Sequence, residues 1–210
     1  MRFSILHILS VFIFIHCSST SKKIDVSEKT NSSIPSKGNV SISWNPNVLK
    51  EDFIVESLSV FKNVDIGIKP LSDSRLNKET IGTIIYNGQP IAAIPKTDIA
   101  DWCSKNLLKG CQFLGLKPVA RNGAYSFEGE LTSFSIQQSI TMTGEISMSL
   151  SCNRDDLTVW EGRIQGHSEL YIIPPGSNGV SECMSNSLIN ALYNLLNDKS
   201  FVDAISKSSH

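Results

Sequence analysis

The sequence lacks a surplus of charge of either sign. Its 19 Lys and Arg are balanced by 20 Asp and Glu, so the formal net charge is -1 at pH 7. Proteins that bind nucleic acid usually carry a basic surplus that neutralises phosphates, and we therefore expect no nucleic-acid partner. Charged residues are only 19% of the chain and apolar residues 40%, which favours a folded protein over a disordered one.

Motifs for catalysis and metal binding are also missing. The sequence contains no Gly-x-Ser-x-Gly, no Gly-x-x-x-x-Gly-Lys and no Cys-x-x-Cys. Of its four histidines, only His167 lies away from the chain ends. It would share one strand face with Glu169, and this pair would need a third ligand to hold a metal, so a solvated strand face is the better interpretation. We predict that the protein is not an enzyme and has neither a metal nor a cofactor.

Long apolar runs are absent except at the N-terminus. Residues 3–15 read FSILHILSVFIFI and follow a single arginine. A membrane-spanning helix needs about 20 apolar residues, so this run is too short to span and has the length of the apolar region of a signal peptide. We therefore predict a signal peptide over residues 1–16.

Cys17 follows this run and is separated from it by one residue, His16. A cysteine in this position resembles the lipobox of bacterial lipoproteins, and the resemblance implies that Cys17 becomes the lipidated first residue of the mature protein. Phe14, Ile15 and His16 differ from the usual lipobox, so an ordinary signal peptide is the alternative, although these residues do not supply its small-residue cleavage site either. We predict a lipid-anchored protein of the bacterial outer membrane, facing the periplasm or the cell surface.

Residues 17–39 are predicted to be the lipidated cysteine and a flexible tether. The stretch is rich in Ser, Lys, Thr and Asn, and such a segment cannot bury enough apolar surface to offset its loss of conformational entropy. A flexible chain of this length spans roughly 25 Å. The tether would let a domain formed by residues 40–210 stand off the membrane.

Four further cysteines lie in the predicted domain, at Cys103, Cys111, Cys152 and Cys183. An even number in an exported protein suggests disulfides, and four cysteines permit three pairings. Cys103 and Cys111 would be about 12 Å apart along a predicted helix, whereas a disulfide needs Cα atoms within about 7 Å. Two long-range bridges are one interpretation and four buried free thiols are the other.

Several strands are indicated by alternating apolar residues. The clearest runs from Met142 to Cys152, where Met, Ile, Leu and Cys alternate with Thr, Glu and Ser, as in a sheet with one buried face. Similar patterns predict strands near residues 60–68, 125–131 and 157–172, the last with bends or bulges at Gly162 and Gly166. Asn87-Gly88 predicts a tight hairpin between two further strands.

Two amphipathic helices complete the prediction. The first would start at Thr97, the expected N-cap, and stop at Gly110. The second would be capped by Asn178 or Ser181 and bury a stripe that includes Leu188 and Leu192, and a short turn over residues 201–205 would close the domain. The expected fold is α+β, a two-layer sandwich of a mainly antiparallel sheet packed by two helices.

This order of elements resembles the YajG-type family of bacterial lipoproteins. The resemblance depends on residues 64–68 (VDIGI), Asp73-Ser74-Arg75, residues 81–83 (IGT) and residues 114–116 (LGL). The layout is more distantly similar to the auxiliary lipoproteins of lipid-transport ABC systems. The resemblance implies an envelope location and a non-catalytic role. Asp73 and Arg75 would form either a local salt bridge or a pair that faces a partner.

Three functions follow from these predictions. The first is an accessory protein that binds an envelope protein partner, in an envelope assembly or a lipid-transport complex. The second is a surface-exposed lipoprotein that binds host or matrix molecules. The third and weakest is a lipid carrier, with Met142, Met148 and Met184 lining an apolar cavity.

Overall fold

A computed structural model describes residues 36–61, 64–119, 123–171 and 178–208. The signal peptide, Cys17 and residues 18–35 of the predicted tether lie outside the described residues. The described part is α+β, as predicted. The strands are β1 Lys37–Val40, β2 Asp65–Ile68, β3 Ser72–Asp73, β4 Gly82–Tyr86, β5 Gln89–Pro95, β6 Lys117–Val119, β7 Tyr125–Gln138, β8 Met142–Arg154 and β9 Leu157–Leu170. The helices are α1 Ile99–Phe113, α2 Gly179–Leu196 and α3 Lys199–Ser208.

The sheet is built around three long antiparallel strands, β7, β8 and β9. Along its other edge, β7 pairs in succession with the short parallel strands β2, β3 and β4. Strand β4 continues into an antiparallel pair with β5, which pairs in parallel with β1, while β2 pairs in parallel with β6. The sheet is therefore mainly antiparallel, as predicted, with a margin of short parallel strands that the sequence pattern did not indicate.

The alternation predicted for β8 is confirmed with one exception. Its apolar residues, from Met142 to Cys152, are buried under the helices, and Glu145 on the opposite face is exposed. Ser147 belongs to the polar set but is fully buried. The hairpin is also confirmed, because Asn87 and Gly88 both adopt positive φ, at 49° and 75°, as a type I′ turn requires.

Helix α1 differs from its prediction at both ends. Its N-cap is Asp98, whose carboxylate accepts a hydrogen bond from the Asp101 N–H at 2.9 Å, so the cap predicted at Thr97 is wrong by one residue. Gly110 does not stop the helix, which continues to Phe113. A Cβ at Gly110 would lie 2.5 Å from Leu192 Cδ1. This glycine therefore serves the close packing of α1 on α2.

Helix α2 is buried on almost every side, including its serines. The extended segment over residues 43–47 lies along it, and alternate backbone N–H groups of this segment donate to helix side chains. Ser181 Oγ and Ser185 Oγ accept from Ser43 and Asn45, each at 2.9 Å. Because these hydroxyls satisfy backbone donors, the polar residues can be buried without an unpaired group.

Three further predictions are corrected by the structure. The predicted turn over residues 201–205 lies inside α3, so three helices rather than two are described. Gly162 and Gly166 form no bulge in β9, because their pairing with β8 is continuous and the register shifts only between Cys152 and Asn153. A Cβ at Gly166 would instead overlap the carbonyl oxygen of Ser187, so this glycine lets α2 approach the sheet.

Near the N-terminus, the strands begin at residues other than those predicted. Strand β1 begins at Lys37, inside the segment predicted as tether. Part of the strand predicted near residues 60–68 is a 3₁₀ turn, Leu58–Phe61, and β2 begins only at Asp65. Within the described residues, no helix combines the length and the apolar character needed to cross a bilayer.

Candidate functional site

Asp73 and Arg75 form a local salt bridge. The Arg75 side chain is only 5% exposed, and its Nη2 lies 2.8 Å from Asp73 Oδ2. Arg75 Nε also donates to Asp73 Oδ1 at 3.0 Å, which makes the pair bidentate. These hydrogen bonds hold the pKa of Asp73 below its usual value. The structure thus shows the local salt bridge, with the Arg75 side chain buried and that of Asp73 22% exposed, and a partner-facing role of the pair stays a prediction.

The four cysteines of the domain are free and buried, so neither of the expected long-range bridges is formed in the structure. Burial raises the pKa of Cys111 and of Cys152 to about 12. Burial also raises the pKa of Cys103 and Cys183. These thiols are protonated at neutral pH and are poor nucleophiles.

His167 and Glu169 lie on the exposed face of β9, on alternate residues. No group of three or more potential metal ligands comes together in the part of the chain that the structure describes. The methionines that were considered as a lipid-cavity lining, Met142, Met148 and Met184, are packed within the hydrophobic core.

An open groove of about 720 Å³ lies on the surface of the described part of the chain. We call it the distal groove. Its walls come from the end of β2 and the loop after it, from α1, from the start of β7 and from the turn between β8 and β9. The lining residues are Gly67, Ile68, Lys69, Pro70, Asp101, Ser104, Lys105, Leu108, Gly123, Ala124, Ser126, Asn153, Asp155 and Asp156.

The charged groups of the distal groove are held by hydrogen bonds. Lys69 Nζ lies 2.7 Å from Glu128 Oε2, while Asn153 donates to the other oxygen of the same carboxylate at 2.5 Å. The hydrogen bond to Glu128 raises the pKa of Lys69. Lys105 Nζ lies 2.7 Å from Asp101 Oδ2, one turn earlier on the same helix, α1. The groove thus offers fixed donors and acceptors beside apolar surface, the combination typical of ligand sites of this volume.

The remaining acidic residues of the groove, Asp155 and Asp156, form the turn between β8 and β9. Both adopt positive φ, at 48° and 65°, a conformation that aspartate tolerates better than most residues. The sequence pattern did not predict the groove. The groove combines segments that are far apart in the chain, and no local motif marks it.

Comparisons with known proteins concern the fold. No protein-family model and no curated protein matches this chain. A DUF330-family protein from Xanthomonas campestris is similar with a TM-score of 0.45 and 10% identity, over 83% of this chain and 98% of that one. The PelC dodecamer from Paraburkholderia phytofirmans has a TM-score of 0.39 and 8% identity, over 63% and 87% of the two chains.

A candidate lipoprotein from Caulobacter crescentus has a TM-score of 0.37 and 8% identity, over 77% of this chain and 98% of its own. Proteins described as lipoproteins are thus among the similar structures. The resemblance to the YajG-type family in particular stays a prediction from the sequence.

Proposed function

We propose that this chain is a lipid-anchored protein of the bacterial cell envelope that binds a partner through its folded domain and carries out no catalysis. The observation that carries the proposal is the position of Cys17, one residue beyond the end of an apolar run of signal-peptide length. The acyl chains on Cys17 would hold the protein to the outer membrane, and two or three such chains anchor a protein stably.

The positions of the chain's N-terminal side and of the distal groove support this proposal. The first residue of β1, Lys37, pairs with Ala92 of β5. Successive pairing through β4 places it level with Gln137, near the last residue of β7. The distal groove includes Ser126, near the first residue of β7. Since β7 rises about 3.3 Å per residue, the groove lies roughly 35 Å along the strand direction from the point where the chain joins the domain. The anchored domain would present its groove away from the anchor, where an envelope protein can reach it.

Replacing Cys17 tests the anchor. We expect Cys17→Ala to move the protein from the membrane fraction to the soluble fraction, because alanine offers no thiol for acylation. Metabolic labelling with an alkyne-modified palmitate and membrane fractionation are the measurements. Ser18→Ala is the matched control and should stay in the membrane fraction. If Cys17→Ala is still membrane-bound, the lipid anchor is refuted.

Two neighbouring lysines of α1 test the binding surface. Lys105 lines the distal groove, whereas Lys109 is exposed one helical turn further on and is not part of the groove lining. A photo-crosslinking residue at position 105 should give a discrete crosslinked product in native envelopes, and the same residue at position 109 should not. Equal products at both positions, or none at 105, would show that the groove is not the binding surface.

A further inference from the structure

The pairing of the strands defines one end of the sheet. Six residues, one from each of six strands, are paired in succession and therefore lie level across the sheet: Lys37, Ala92, Thr83, Gln137, Thr143 and Glu169. Among the described residues, the last residues of β4, β7 and β9, the first residues of β5 and β8, and the turns that join β4 to β5 and β7 to β8 lie beyond this level. This end is opposite to the distal groove.

Three large apolar or aromatic side chains are exposed at this end. Tyr86 ends β4, Ile140 is in the turn between β7 and β8, and Tyr171 follows β9. Their exposed fractions are 49%, 94% and 73%. Because neighbouring strands are about 4.8 Å apart, the three residues fall within about 15 Å of one another across the sheet. We call these three residues the tip.

The chain joins the domain from the side of the tip. Strand β1 pairs in parallel with β5, and β5 starts at the hairpin turn beside Tyr86, so both strands run away from the tip. The Ser36 carbonyl, just before β1, accepts a hydrogen bond from the Ala92 N–H at 3.1 Å. Residues 18–35 precede β1 in the chain and therefore enter the domain from this end; if they form the tether that the sequence predicts, they would span about 25 Å.

Because the chain enters the domain at the end that carries the tip, a lipid anchor on Cys17 would keep the tip close to the bilayer. An anchor on a short linker keeps the attached surface at a high effective concentration near the membrane. Tyrosine suits the boundary between headgroups and acyl chains, because its ring is apolar and its hydroxyl is polar. The charged residues at the level of the tip, Lys37 and Glu169, are exposed and of opposite sign. The contact would therefore depend on apolar and aromatic side chains and not on anionic lipid.

We propose that Tyr86, Ile140 and Tyr171 form a membrane-contact surface that inserts into the interfacial region of the bilayer to which Cys17 anchors the chain. This inference rests on the proposed lipid anchor. Contact at the tip fixes the orientation of the domain and directs the distal groove away from the bilayer. It gives the anchored protein a defined orientation that the anchor alone does not supply.

Environment-sensitive labels on the full lipidated chain test this surface. The chain is purified from membranes, reconstituted into phosphatidylcholine vesicles and labelled with an NBD maleimide at Ile140→Cys or at Leu157→Cys. Leu157 is the matched control, since it is an exposed apolar residue in the turn region at the opposite end of the sheet and is 71% exposed. The four native cysteines of the domain are buried, and the chain without an added cysteine measures their background labelling.

We expect blue-shifted emission at position 140 and severalfold stronger quenching there by nitroxide phospholipids than at position 157. Adding Tyr86→Ser and Tyr171→Ser should weaken the quenching at position 140. Equal quenching at both positions overturns the proposal. A blue shift at position 140 without quenching by lipid nitroxides also overturns it, because a protein surface or a second copy would then cover the tip.

Flotation of the vesicles separates this test from the test of the anchor. A chain that does not float with the vesicles refutes the lipid anchor, and the tip proposal fails with it. A chain that floats but shows equal quenching at the two positions retains its anchor and refutes the tip contact alone.

Discussion

Phe201→Ala is expected to lower the free energy of unfolding by about 3–5 kcal/mol, the range for removing a buried phenylalanine side chain. Phe201 is fully buried. Its ring lies 5.5 Å from that of Phe61, 5.8 Å from that of Phe127 and 5.1 Å from that of Trp160, measured between ring centroids. The substitution leaves a cavity between α3 and the sheet that three aromatic neighbours cannot fill by small movements.

A loss of this size is a large part of the stability of a typical domain, which is about 5–15 kcal/mol. The midpoint of thermal unfolding should fall by about 10 °C for a domain of this length. Urea unfolding followed by circular dichroism measures the effect. Asp203→Ala, at an exposed position of the same helix, should change stability by no more than about 0.5 kcal/mol. If Phe201→Ala lowers the free energy of unfolding as little as Asp203→Ala does, Phe201 does not contribute to the core as proposed.

Strand β8 could be predicted from the sequence, whereas helix α3, which contains Phe201, could not. Strand β8 was predictable because more than ten consecutive residues follow a period of two, with one face buried by the helices. Helix α3 has ten residues and buries only Phe201 and Ile205, four positions apart. Two apolar residues at that spacing fit a turn as well as a helix, so the pattern did not distinguish them.

Strand β1 and the role of Gly166 could not be predicted for a different reason. Both depend on parts of the chain that become neighbours only in the folded protein. The β1 sequence, KGNV, has little β-propensity, and its backbone is extended because it pairs with β5. Gly166 looks like a strand breaker in the sequence, yet it is required by the approach of α2. The distal groove was missed likewise, because its walls meet only after folding.

Breaking the salt bridge between Asp73 and Arg75 is expected to cause the second large loss of stability. Removing one partner of a buried ion pair leaves the other charge uncompensated, which costs about 3–5 kcal/mol. Arg75 Nη1 already has no hydrogen-bond partner, and the same holds for the buried indole nitrogen of Trp102. The guanidinium therefore depends on Asp73 for its stabilisation, and we expect Asp73→Ala to lower the free energy of unfolding by about 3 kcal/mol.

A double variant separates the charge from the packing. Arg75→Met in the Asp73→Ala background removes the unpaired buried charge, and replacing a buried pair by apolar residues is often neutral. Most of the lost stability should therefore return. The exposed pair of Lys105 and Asp101 is the matched control, because Asp101→Ala should cost no more than about 0.5 kcal/mol.

The way the free energy of unfolding depends on pH provides a second test of the pair formed by Asp73 and Arg75. The hydrogen bonds from Arg75 hold the pKa of Asp73 below its usual value, so the folded state favours the ionised carboxylate. The stabilisation is therefore complete above the unfolded pKa, about 3.9, and is lost as the pH falls through the lower folded pKa. Urea unfolding of the unmutated protein and of Asp73→Ala should differ most near pH 6 and converge toward pH 2. A constant difference across this range would show that Asp73 acts through packing and not through its charge.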